Sequence, residues 1–157
     1  MNDAPGRDDP RGARMSSEEI DEFLTEQGTG LLALADGGDA YAIPISFGYD
    51  GGRAVFSYWH FGAETTKEEY TEATNTACLA AYNAETPVKW RSVLAFGELE
   101  ELPPSRWDEL GELIDDNAWS PDVSPIGDRG LTITGYEMEI EEASGFQGSA
   151  YVQSDDR

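Results

Sequence analysis

The residues whose types and spacing could do chemistry gather between positions 57 and 67. Ser57 and Tyr58 end a strand-like run, Thr65 and Thr66 open a helix-compatible segment, and Lys67 follows just inside it. A helix N-terminus, hydroxyls and an ammonium are the parts that seat an anion such as a phosphate. The same residues equally describe a polar turn with a capping threonine, and local features do not choose between the two.

Other chemistries find less support. His60 is the only histidine and follows an aromatic strand end, which reads as a packing or edge residue. Cys78, between Ala77 and Leu79, reads as a small buried hydrophobe, since a reactive thiolate needs positive neighbours. A lone cysteine also excludes an internal disulfide and a cysteine-based zinc site. Adjacent acids recur at Glu18-Glu19, Glu68-Glu69, Asp115-Asp116 and Glu141-Glu142. In so acidic a chain they read as solvated faces, and no metal site is expected. Neither a P-loop nor a dinucleotide-binding glycine fingerprint is present.

Charge sets the background. Thirty-two acids face ten bases, for a formal net of −22. The acids are scattered over every expected surface, which favours adaptation to high salt over a single acidic docking patch. Nucleic acid is not an expected partner, because phosphate contacts need clustered Lys and Arg. Setting aside the termini, the bases left for the fold are Arg53, Lys67, Lys89, Arg91, Arg106 and Arg129. A surface so stripped of positive charge retains it where it neutralises something.

The elements that must position these residues follow from periodicity. The 157 residues suit one domain, spanning residues 16–147 between a disordered tail at 1–15 and a polar tail at 148–157. Ser16-Ser17-Glu18-Glu19 opens a helix with a capping box, Ile20, Phe23 and Leu24 share its face, and Gly28 closes it. A short strand precedes Asp36-Gly37-Gly38-Asp39. Tyr41, Ile43, Ile45 and Phe47 then alternate with Ala42, Pro44 and Ser46, and residues 53–59 are aromatic and β-branched. Asp50-Gly51-Gly52 between them predicts a tight hairpin. A helix at 64–74 with Tyr70 and Ala73 as its apolar face comes next, then strands at 76–82 and 88–102, the second covered on both faces. A helix after Pro103-Pro104 carries the stripe Trp107, Leu110, Leu113 and Ile114, and 117–128 is a loop. In the last strand Leu131 and Ile133 share one phase, and Tyr136, Met138 and Ile140 the other, which predicts a bulge at Gly135. Six modest strands joined largely by hairpins predict a mainly β, antiparallel six-stranded barrel with two or three flanking helices. No apolar run approaches the roughly 20 residues of a membrane span. The first residues have no apolar h-region, so no membrane partner or secretory leader is expected, and a cytoplasmic location is.

The run Tyr41-Ala42-Ile43-Pro44-Ile45-Ser46-Phe47-Gly48-Tyr49-Asp50-Gly51 resembles the second-strand signature of the pyridoxamine 5′-phosphate oxidase-like, FMN-binding split-barrel proteins. The resemblance continues through Lys67 to Trp90-Arg91-Ser92-Val93 and Gly97, and covers about residues 16–145. The acidic surface resembles haloarchaeal members. The resemblance implies a split barrel forming a homodimer with FMN at the subunit interface. It implies flavin-ring contacts at Ile43, Pro44, Ile45 and Ser46, phosphate contacts at Ser57, Tyr58, Thr66 and Lys67, and a later polar contact at Ser92 with Arg91 beside it. Thr66 stands where many members have Arg, and Gly145-Phe146 where many have Gly-Arg. No equivalent of the oxidase's substrate-phosphate residues is evident, so vitamin B6 oxidation is not expected. The function implied is a flavoprotein oxidoreductase passing electrons or hydride between a small-molecule donor and acceptor. The alternatives are a non-catalytic flavin carrier or sensor, or the same fold holding deazaflavin or haem.

Overall fold

The computed structural model describes residues 11–61, 66–117 and 131–152. In chain order the elements are β1 (Gly12–Arg14), α1 (Ser17–Gln27), β2 (Thr29–Asp36), β3 (Asp39–Ser46), β4 (Gly48–Tyr49), β5 (Arg53–Phe61), α2 (Thr66–Ala73), β6 (Ala77–Thr86), β7 (Lys89–Leu102), α3 (Trp107–Asn117) and β8 (Leu131–Gly148). Short 3-10 turns, Pro104–Arg106 and Ser149–Tyr151, precede α3 and follow β8. α1 forms for the reason expected. Ser16 Oγ accepts from the Glu19 amide at 3.1 Å, and Glu19 Oε1 accepts from the Ser16 amide at 2.8 Å. Gly28, at φ 68°, takes the left-handed conformation that ends the helix.

The strands form one antiparallel sheet in the order β3-β2-β6-β7-β8-β5-β4, with β1 added along the end of β8. β3 and β4 thus lie at opposite ends of the path, although only Phe47 separates them in the chain. The sheet curls until β3 and β5 touch, yet no hydrogen-bonded ladder joins them among the described residues. This is the expected split barrel, with two short strands, β1 and β4, added to the six. Its main core is closed by α1 and by Phe47, Phe56, Tyr58 and Met138, all nearly inaccessible.

The expected hairpin needs correction. Only Gly48–Tyr49 folds back on β5, pairing with Val55 and Ala54. β3 pairs instead with β2 along its whole length, from Asp36 opposite Asp39 to Thr29 opposite Ser46. The two-residue turn Gly37-Gly38 sets that register. Alternation specifies which face a strand buries, not which neighbour it takes, and here it concealed the crossing at Phe47.

Three smaller expectations also change. The N-terminal tail ends sooner, because Gly12–Arg14 pairs with β8 and Met15 is buried. Gly12 admits this strand: a Cβ there would stand 1.8 Å from the Gln147 carbonyl oxygen. At the other end Ala150 donates to the Val88 carbonyl at 2.9 Å, so ordered chain extends past residue 148. The last strand has no bulge at Gly135, which pairs regularly with Ser57 and Leu102. Its two apolar phases exist because both faces are covered. Tyr136 and Met138 enter the main core, while Gly135 lies under α3, where a Cβ would meet Trp107 Nε1 and Leu110 Cδ2 at 3.3 Å. The register shift of β8 falls beside Phe96 and Gly97 instead. The loop expected at 117–128, Arg129 and Thr65 fall largely or wholly outside the described residues.

Candidate functional site

A groove of about 1160 Å³ opens between β3, the start of β2, the end of β6, β5 and α3. Among the described residues its lining contains no Asp or Glu, in a protein of net charge −22, and its one cation is Lys67. Tyr41, Ile43 and Ile45 present one face of β3, and Pro44 and Ser46 complete that wall. β3 is an edge strand, which is where a proline is tolerated.

β5 and α2 bring Lys67 to the groove. Lys67 Nζ donates to the Trp59 carbonyl at 3.3 Å and stands 5.2 Å from the centre of the Tyr58 ring. Arg53, Lys89, Arg91 and Arg106 each meet a carboxylate. Lys67 meets none among the described residues, and an ammonium has three protons to place. α2 is pinned behind it. The Thr71 hydroxyl donates to the Lys67 carbonyl at 2.7 Å, so at its 2.7 Å contact with Tyr58 the phenol is the donor. Burial raises the Tyr58 phenol to about 12, and so it stays neutral near pH 7. Tyr41 stacks on Tyr70 of α2, with ring centres 4.7 Å apart. Beside Lys67, Trp59 Nε1 donates to Ser57 Oγ at 2.9 Å, which leaves the Ser57 O–H to donate elsewhere.

The buried face of α2 is only partly the expected one. It is formed by Glu68 and Thr71, while Tyr70 packs half-buried against the main core and Ala73 is exposed. Glu68 is 4% exposed, and its Oε2 lies 2.8 Å from Nε2 of His60, itself 9% exposed. His60 is therefore neither an edge residue nor simple packing: it joins the end of β5 to α2. Nothing in the sequence distinguished Glu68 from the acids around it.

α3 forms the facing wall. Trp107, Leu110 and Leu113 pack with Val55 and Leu102 in a second, small core. Gly48 admits the helix closely, since a Cβ there would lie 2.6 Å from Leu113. Two arginines then fasten it to the sheet. Arg53 contacts Asp50 and Glu109 at 2.8 Å and Glu137 at 3.2 Å. Arg106 reaches Glu109 and Glu137 at 3.0 Å. Hydrogen bonds from Arg106, then Arg53, lower the Glu109 carboxyl to about 2. Burial pushes Glu137 up, but the two guanidiniums outweigh it and the net shift is downward.

Most of the expected site residues meet in this groove, but three do not. Ile43, Pro44, Ile45, Ser46, Ser57, Tyr58 and Lys67 line it. Thr66 is exposed at the start of α2 and outside the lining. Arg91 turns to Gln147 at 2.9 Å, to Glu22 and to the Tyr151 ring. Ser92 lies opposite Tyr82 in the sheet, outside the lining. Trp59, Tyr82, Trp107 and Gly111 line it without having been anticipated, and only the topology places Trp107 beside β5. Cys78 is free and part-buried, and burial raises its thiol, which fits the expected inert hydrophobe. No cluster of three or more metal-ligating side chains exists among the described residues.

A sequence profile described as pyridoxamine 5′-phosphate oxidase matches residues 16–147. The chain belongs to this family. Several solved structures match the chain in fold at low identity. A FAD-binding protein from Mesorhizobium loti is 23% identical, with 87% of this chain and 97% of that one covered at a TM-score of 0.63. A FAD-binding protein from Mycobacterium smegmatis is 15% identical, with 86% and 98% covered at 0.62. A FAD and haem binding protein from the same organism is 16% identical, with 91% and 77% covered at 0.63. At these identities the likeness establishes the split-barrel fold. No protein of curated function matches the sequence. For this member of the oxidase family, no helix among the described residues is long and apolar enough to cross a membrane.

Proposed function

We propose that the groove holds a flavin nucleotide, FMN, and that the protein is an FMN-dependent oxidoreductase working between a small-molecule donor and acceptor. The observation that carries this is the charge of the lining: among the described residues, no carboxylate and one lysine without a carboxylate partner, in a chain with an excess of twenty-two acids. Such a lining repels nothing that carries a phosphate. Lys67 and the Ser57 hydroxyl supply donors for the phosphate. Ile43, Pro44, Ile45 and Ser46 supply an extended, largely apolar wall for a flat ring. When bound, the flavin supplies the capacity to take and give electrons or hydride, and the protein positions it. With Tyr58 neutral and Cys78 unactivated, no acid or base of this chain is assigned a proton.

The second copy is part of the proposal. Leu31, Tyr82 and Leu94 are 41%, 65% and 45% exposed on the consecutive strands β2, β6 and β7. Val93 and Ala95 of β7 are buried on the opposite face, so the expectation that both faces of this strand are covered holds only if a partner covers Leu94. Leu31 and Tyr82 also line the groove. A homodimer through this face would place the groove at the interface and give Ser92, beside Leu94, a route to the partner's ligand. The scattered acids fit a salt-adapted protein of the cytoplasm.

The relatives named as binding FAD, and FAD with haem, support flavin and keep FAD, deazaflavin and haem as competing ligands. Native mass spectrometry of protein purified in multimolar KCl tests the reading. Copurified FMN, released on denaturation, is the expected result. Colourless protein that takes up no FMN in that salt would end it. Reduction of the bound flavin by a nicotinamide nucleotide and fast reoxidation by an acceptor separates an oxidoreductase from a carrier or sensor.

A further inference from the structure

The α3 end of the groove has a composition of its own. Trp59, Trp107, Leu110, Gly111 and Ile133 line it, and none of them carries a charge. Trp59 and Ile133 are directly opposed on β5 and β8, forming a floor. Both indole N–H groups are already spent within the protein, Trp59 on Ser57 Oγ at 2.9 Å and Trp107 on the Leu102 carbonyl at 3.1 Å. An occupant would therefore meet carbon, not donors. Arg53 and Arg106 hold α3 to the sheet, so this wall is fixed and not a lid.

Gly111 is the unexplained residue. A glycine inside a helix costs about 0.5–1 kcal/mol relative to alanine. Packing does not demand it, for among the described residues nothing lies within 4 Å of where its Cβ would stand. Position 111 is one turn beyond Trp107, and helical side chains lean toward the preceding turn. A side chain at 111 would lie over Trp107 and fill the groove. Ligand pockets usually measure about 300–1,000 Å³, and this groove exceeds that at about 1160 Å³.

We propose that Trp59, Trp107, Leu110, Gly111 and Ile133 form a second subsite that takes a planar, uncharged aromatic molecule, and that Gly111 sets its size. Two fixed indoles favour a flat ring, and the lack of charges and free donors among the described lining residues disfavours an ionic one. The proposal rests on the reading of the Lys67 end as the nucleotide site, because a flavin lying against α3 would itself be the occupant.

The test measures 2-naphthol and FMN separately, by equilibrium dialysis in multimolar KCl, on wild type and Gly111→Leu. The expected result is at least a tenfold weaker hold on 2-naphthol in Gly111→Leu, with FMN affinity unchanged within twofold. Equal loss of both would make this compartment part of the flavin site and overturn the proposal, while leaving the flavin reading intact. Binding of 2-naphthol with no binding of FMN would uphold the subsite and end the flavin reading. No binding of 2-naphthol to wild type, or equal binding to both proteins, overturns the proposal. Gly111→Ala, whose Cβ meets only open space among the described residues, should raise Tm by about 1–4 °C. A second measurement needs no folded variant at position 111. In protein labelled with 5-fluorotryptophan, 2-naphthol should shift the fluorine resonances of Trp59 and Trp107 and leave Trp90 unmoved, and a shift of Trp90 alone would overturn the proposal.

Discussion

His60 Nε2 lies 2.8 Å from Glu68 Oε2, with both side chains more than nine-tenths buried. The pair joins the end of β5 to α2, one residue from Lys67 on the helix and one from Trp59 on the strand. His60 Nδ1 has no partner among the described residues, so the Glu68 contact is the imidazole's one polar anchor there. Removing a partner from a buried polar pair costs about 1–3 kcal/mol. Glu68→Ala should lower unfolding free energy by about that amount, while Glu69→Ala, on the exposed side, should stay within about 0.5 kcal/mol. Equal effects in denaturant titrations would show that burial of Glu68 carries no weight.

Lys67→Ala tests the anion site directly. The ammonium has no carboxylate to leave behind among the described residues, so the fold should tolerate its loss. FMN affinity should fall by about tenfold or more, consistent with loss of a charge-assisted bond worth about 1.5–3 kcal/mol. Riboflavin, which lacks the phosphate, should bind within about twofold of wild type. Equal losses for the two ligands, measured by flavin fluorescence, would remove Lys67 from the phosphate site.

How far the sequence reveals this site depends on the kind of interaction. Local hydrogen bonding was legible: the Ser16–Glu19 capping box and Gly28 appear as read. So was the inward face of β3, which is why Tyr41, Ile43 and Ile45 meet in the groove. Strand partners were not, because the period of two is the same whichever neighbour a strand takes. That misplaced the partner of β3 and turned the two covered faces of β8 into a bulge. Glu68 was invisible because thirty-one other acids share its residue class. Trp107 and Gly111 join the site only through the packing of α3 on Gly135, a contact between positions far apart in sequence.

The exposed row Leu31, Tyr82 and Leu94 makes oligomeric state a test of the groove. Leu94→Glu places a charge at the β7 end of that row without touching the groove lining. Light scattering in multimolar KCl should then show monomer in place of dimer, and FMN affinity should drop with it. A wild-type monomer that binds FMN would end the dimer reading, and a Leu94→Glu dimer would move the interface elsewhere.

Salt should act on the whole molecule. Repulsion among so many unpaired acids is screened over about 10 Å at 0.1 M salt and about 3 Å at 1 M. Unfolding free energy should therefore rise steeply from dilute buffer to molar KCl. A flat profile would contradict salt adaptation and leave the acidic surface unexplained.

Acid should loosen α3 through Glu109 and Glu137. Their folded carboxyls are lowered, Glu109 to about 2, against an ordinary value of 4.5. A lowered folded pKa means stability fully present above the unfolded value and lost as pH falls through the folded one. The window is thus about pH 4.5 down to about 2. Protonating surface acids relieves repulsion over the same range and opposes the loss, so the measurement belongs in molar KCl, where repulsion is screened. Wild-type stability should fall across this window. Glu137→Gln should start lower and lose less, because one of the two titrating groups is gone. Parallel curves for the two proteins, followed by tryptophan fluorescence, would show that Glu137 does not couple α3 to the sheet.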